Sequence, residues 1–104
     1  MALASGDATG TMSNDGVLSL KPVPVTFVAP GASQVQIAGS FNGWARPIML
    51  EPREDQDGEF TSELYLYPGT HEVKYILNGD QWVIDENAPT NGDGMERNNI
   101  IEVE

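Results

Sequence analysis

Apolar and polar residues alternate with a period of two along most of this chain, the repeat of a half-buried β-strand. Val35 and Ile37 give one short run an apolar face, and Val25-Thr26-Phe27-Val28-Ala29 precedes it as a β-rich stretch introduced by Pro22 and Pro24. Proline near a strand start suits a sheet edge. From Glu59 to Tyr67, Phe60, Ser62, Leu64 and Leu66 fall on one face, and Thr61, Glu63, Tyr65 and Tyr67 on the other. From Thr70 to Leu77, His71, Val73, Tyr75 and Leu77 form the more apolar set, the expected core face. Glu72, Lys74 and Ile76 then point outward. Arg46 to Leu50 reads as a short strand or extended segment, and Gln81 to Ile84 and Asn98 to Val103 as further short strands.

Turn residues separate these runs. Pro30-Gly31, Gly39 to Gly43, Pro68-Gly69 and Asn78-Gly79 each carry glycine, proline or asparagine, the residues that fit tight turns. Pro68-Gly69 predicts that the strand beginning at Thr70 returns as a hairpin. Glu51 to Gly58 reads as an exposed acidic loop, and Asp85 to Met95 as a long loop. No run has a convincing helical period. Several short strands with regular turns predict an all-β fold, an immunoglobulin-like β-sandwich of antiparallel strands.

The length of 104 residues fits one domain. Residues 1–22 are expected to be a flexible leader, its start open to being an expression scar, and residues 23–104 the sandwich. The leader lacks the basic start and long apolar segment of a secretory signal, and it has no arginine. No apolar run approaches the ~18–20 residues that span a bilayer. Sixteen acidic residues against five basic ones give a formal charge of -11. That charge repels phosphate backbones and anionic membranes, whereas a neutral sugar polymer is indifferent to it.

Candidate chemistry is sparse. There is no cysteine and one histidine, His71, so a zinc site has little support. The acidic run Asp55 to Glu59 lacks the spacing of a calcium loop and reads as a solvated face. No nucleophile elbow, phosphate loop or dinucleotide fingerprint occurs, and no carboxylate pair is singled out by a motif. The domain is read as non-catalytic, without cofactor or metal.

What stands out is Gly39-Ser40-Phe41-Asn42-Gly43-Trp44, a tryptophan just past a strand end, and the second tryptophan, Trp82, after Asn78-Gly79-Asp80. Taken alone, each indole is at least as readily a core residue, and Lys74 an ordinary solvated lysine. Together they suit a sugar. An indole plate covers the C–H face of a pyranose, and lysine and asparagine hydrogen-bond its hydroxyls.

These segments, with Tyr67 to Tyr75 and Asn98-Asn99-Ile100-Ile101, occur in the order of a known pattern. From Val23 to Val103 the chain resembles a family 48 carbohydrate-binding module. It is similar to the glycogen-binding domain of the AMP-activated protein kinase β subunit and to modules of plant starch-metabolism proteins. The resemblance implies an immunoglobulin-like sandwich that binds α-1,4-linked glucan, with Trp44 and Trp82 stacking on glucose and Lys74 and Asn98 bonding hydroxyls. For Asn98, a turn or strand-edge role stands level with the sugar role. Where such modules supply a leucine and a threonine, this chain has Gly94 and Glu96, and Met95 beside them is the candidate replacement contact. The implied partner is starch or glycogen, reached by a kinase, phosphatase or amylase-type protein that carries the module, in cytoplasm or plastid. A protein-interaction sandwich with a weakened sugar site is the other reading.

Overall fold

The computed structural model describes residues 19–92 and 97–104. Its strands are β1 (Lys21–Val28), β2 (Val35–Gly39), β3 (Ile48–Pro52), β4 (Glu59–Leu66), β5 (Gly69–Leu77), β6 (Gln81–Val83), β7 (Thr90–Asn91) and β8 (Asn98–Val103). A 3₁₀ turn, Ser40–Asn42, follows β2. All strand pairs are antiparallel, in the order β1-β4-β3-β2-β5-β8-β7, with β6 beside β5.

This curled path makes the two layers of the expected sandwich. β3 divides its bonding between them. Ile48 to Leu50 pair with β2, and Glu51 and Pro52 pair with β4. The acidic loop is therefore shorter than the sequence suggested, because its first two residues finish a strand. Beyond them Arg53 ion-pairs with Asp55 and Glu59 at 3.0 and 2.9 Å, on the surface.

The core lies between the layers. Phe60, Leu64 and Leu66 of β4 are buried, as their alternation requires, and so are Val35 and Ile37 of β2 and Val73 and Tyr75 of β5. Phe27 of β1 and Tyr75 of β5 stack at 4.3 Å between centroids. Burial first, and the nearby Asp85 charge second, push the Tyr75 phenol up to about 12. Pro22 and Pro24 sit in β1, which among the described residues is an edge strand bonded on one side, where a missing N–H costs no ladder bond.

Pro68-Gly69 does not close a hairpin. β4 pairs with β1 and β3, whereas β5 pairs with β2, β6 and β8. Proline fixes φ near −65°, which suits type I and II turns that splay strands rather than the mirror-image turns of two-residue hairpins. The segment instead carries the chain from one layer to the other, with Gly69 at φ 133°. His71 is tied into this crossover, its ring Nε2–H donating to the Tyr67 carbonyl at 2.8 Å.

Asn78-Gly79 does turn β5 into β6. Both residues have positive φ, 54° and 84°, as a type I′ turn demands. Asn78 also accepts at Oδ1 from the Ser33 N–H and hydroxyl, at 2.7 and 2.8 Å, which ties this turn to the start of β2. The expected long loop from Asp85 is interrupted by β7, a strand too short to show a period in sequence. Of the expected leader, residues 1–18 lie outside the described residues, and Lys21 and Pro22 open β1.

Candidate functional site

The outer face of β5 is built by alternation. Val73 and Tyr75 enter the core, so Glu72, Lys74 and Ile76 point the other way. Register sets their neighbours. Ile76 pairs with Trp82 on β6 and with Gln36 on β2. Lys74 pairs with Ala38, and Glu72 pairs with Ile100 of β8. Continuing the β5–β8 register by one position from Val73–Asn99 sets Asn98 opposite Lys74. Trp82, Lys74 and Asn98 therefore share one face, in adjacent rows.

Trp82 is 51% exposed, and its cross-strand partner Ile76 is only 3% exposed although it lies outside the core cluster. Cross-strand neighbours lie about 5 Å apart and diagonal ones about 7–8 Å. The indole, the Lys74 ammonium stem and the Asn98 amide thus fall within the span of a short oligosaccharide.

Trp44 reaches the surface by a different device. At Gly39 the chain crosses so close to β5 that a Cβ would lie 2.6 Å from the Glu72 carbonyl oxygen and 2.6 Å from the Phe41 ring. Its φ of −172° is ordinary extended backbone, so space alone selects glycine. The Glu72 N–H donates to Ser40 Oγ at 2.9 Å, which fixes the turn to β5. Gly43 and Trp44 then both adopt positive φ, 69° and 65°. A bulky residue held there costs of order 1–3 kcal/mol. The Trp44 N–H donates to the Gly39 carbonyl at 2.9 Å, and Asn42 Nδ2 to the Arg46 carbonyl at 2.8 Å, which hold the conformation. The result is an indole 37% exposed at the end of β2. Its backbone is anchored at Gly39, opposite Val73, and Trp82 lies opposite Ile76. The two ring-bearing segments are therefore roughly 10 Å apart along β5, at about 3.3 Å per residue.

Asn98 is held by residues that sequence reasoning did not single out. Its Nδ2 donates to Glu72 Oε1 at 3.0 Å, and Asn91 Nδ2 donates to Glu72 Oε2 at 2.9 Å. The Asn98 N–H donates to Asn91 Oδ1 at 3.2 Å. Glu72 was visible as an outward residue, but Asn91 lay in a stretch read as loop. Next to it, Asn99 faces inward at 2% exposure. Its Oδ1 accepts from the Asp85 N–H at 2.6 Å, and its Nδ2 donates to the Asp85 and Pro89 carbonyls at 2.9 and 3.1 Å. The adjacent asparagines thus do different work. Asn99 pins the segment after β6 to β8, and Asn98 stands on the outer face. Met95, with Gly94 and Glu96, lies outside the described residues. Among the described residues no group of three or more His, Asp or Glu is placed to hold a metal ion.

The same stretch, residues 21–104, matches the family described as the glycogen recognition site of AMP-activated protein kinase. The chain belongs to that family. It is a carbohydrate-binding module of the glycogen-recognition type, as the resemblance implied. Among curated proteins, the chain is similar to Protein PTST, chloroplastic, of Arabidopsis thaliana, 38% identical over 74 residues, which are 70% of this chain and 26% of that protein. It is similar to SNF1 protein kinase subunit beta-2 of Saccharomyces cerevisiae, 36% identical over 89 residues, 86% of this chain and 21% of that one. Phosphoglucan phosphatase DSP4, amyloplastic, of Castanea sativa is 35% identical over 89 residues, 83% of this chain and 23% of the phosphatase. The glycogen-recognition module thus spans about a quarter or less of each of these relatives.

Proposed function

We propose that this module binds α-1,4-linked glucan on the outer face of β5 and thereby brings a larger protein to starch or glycogen. Trp82 and Trp44 stack on glucose rings, Lys74 donates to hydroxyls, and Asn98 bonds a neighbouring hydroxyl. The observation that carries this reading is the register that sets Trp82, Lys74 and Asn98 in adjacent rows of one face. Stacking removes water from both the indole and the sugar, at about 25 cal/mol per Å² of apolar surface. By analogy with base stacking, each ring contributes roughly 1–3 kcal/mol. The site is shallow, so affinity is modest and gains from repeated contacts along a polymer.

The module itself needs no catalytic group for this task. The relatives include a kinase subunit and a phosphoglucan phosphatase, two of them chloroplastic or amyloplastic by name, which supports a role as a targeting segment in cytoplasm or plastid. Titration with β-cyclodextrin followed by tryptophan fluorescence tests the proposal, together with retention on amylopectin. Binding is expected for the wild type, with a loss of roughly tenfold or more in Trp82→Ala, equivalent to about 1.4 kcal/mol. No response of the wild type to any glucan would reject it and favour the protein-interaction reading.

A further inference from the structure

We infer that Glu72 is the positioning residue of the sugar face, locking the Asn98 side-chain amide so that its oxygen is turned away from Glu72 to accept from a ligand hydroxyl. The inference rests on the glucan reading of this face. An ionised carboxylate only accepts hydrogen bonds. Glu72 Oε1 lies 3.0 Å from the Asn98 amide nitrogen and Oε2 lies 2.9 Å from that of Asn91. Both amides must therefore turn their NH₂ groups toward Glu72. Asn91 Oδ1 then accepts the Asn98 backbone N–H at 3.2 Å, which closes a three-residue ring around Glu72. Within that ring Asn98 has used its backbone donor and one of its two amide hydrogens, and with the nitrogen turned to Glu72 its Oδ1 is turned the other way.

This orientation has a consequence for what the face recognises. Lys74 can only donate, and Asn98, so held, chiefly accepts. Register sets the two opposite each other. A donor beside an acceptor matches two adjacent hydroxyls, one accepting from lysine and the other donating to Asn98. A vicinal equatorial diol, as on O2 and O3 of glucose, fits this pair. A sugar with one of the two hydroxyls replaced by hydrogen would strand one partner, and a buried unpaired group is costly. Glu72 acts on this choice only through Asn98.

A double-mutant cycle with the full chain and β-cyclodextrin as probe tests the inference. Glu72→Ala is expected to weaken binding about tenfold in the wild-type background and to have no further effect in Asn98→Ala. Glu72→Gln keeps the shape and one acceptor, so it is expected to fall between wild type and Glu72→Ala. In ¹⁵N spectra, the Asn98 side-chain amide is expected to exchange slowly in wild type and quickly in Glu72→Ala. Should Glu72→Ala fail to fold, the same cycle run with Glu72→Gln decides. Equal effects of the Glu72 change in both backgrounds, or no effect in either, would overturn the positioning role while leaving the glucan site standing. A wild type that ignores every glucan would overturn both, and Trp82→Ala would then also be silent.

Discussion

Replacing Asn99 with alanine removes three hydrogen bonds from a position that is 2% exposed. Each bond contributes about 1 kcal/mol net, and a donor or acceptor left dry costs about 1–3 kcal/mol. The stranded groups are the Asp85 N–H and the Asp85 carbonyl, whereas the Pro89 carbonyl keeps the Ile100 N–H at 3.0 Å. Asp85 is half-buried and Pro89 exposed, so water recovers part of the loss. The net cost comes to about 3 kcal/mol, a shift of roughly 10–20 °C in Tm for a domain of this size. Asn99→Asp separates the bonds. Its carboxylate still accepts from the Asp85 N–H, but it faces two carbonyls that also only accept. Ionisation is therefore disfavoured in the folded state, the carboxyl pKa is raised there, and stability of this variant rises as pH falls. Thermal and urea unfolding followed by tryptophan fluorescence measure both effects. A cost below about 1 kcal/mol for Asn99→Ala, against the typical worth of even one bond, or an Asn99→Asp variant indifferent to acid, would refute the latch.

Two further outcomes follow from packing. Gly39→Ala places a Cβ against the Glu72 carbonyl and the Phe41 ring, and backbone cannot swing aside as a flexible side chain would. Calorimetry is expected to show a loss of about 1–3 kcal/mol, together with weaker glucan binding because the Trp44 turn hangs from the same residue. Tyr75, at about 12 in the fold, stands some two units above an unfolded tyrosine near 10, so its neutral form is the one the core accepts. Its contribution is complete below pH 10 and lost as pH rises toward 12, at about 1.4 kcal/mol per unit, or about 3 kcal/mol in all. Urea titrations across that window should show a shallower alkaline decline in Tyr75→Phe than in wild type.

Legibility from sequence followed the range of the interaction concerned. Alternation is local, so the inward set of β4 and the outward places of Glu72, Lys74 and Ile76 could be read directly. The exposed indoles were legible from their turn residues and from family resemblance. Pairing between distant strands was not. Pro68-Gly69 marks a reversal, but whether the chain returns beside itself or across the core depends on which partners β4 and β5 find elsewhere. The roles of Asn98 and Asn99 were equally out of reach, because two adjacent asparagines differ only in which face they occupy and what lies opposite. Ile76 was legible as outward yet not as buried, since its cover comes from other strands.

The sharing of β3 between the layers bears on how the molecule opens. Its first half is zipped to the layer that contains β5 and its last two residues to the opposite one. Peeling either layer away must drag on bonds belonging to the other. Strain imposed by a polymer held on the proposed sugar face would thus be conveyed through covalent backbone to the far side, and the module is expected to yield as one cooperative block.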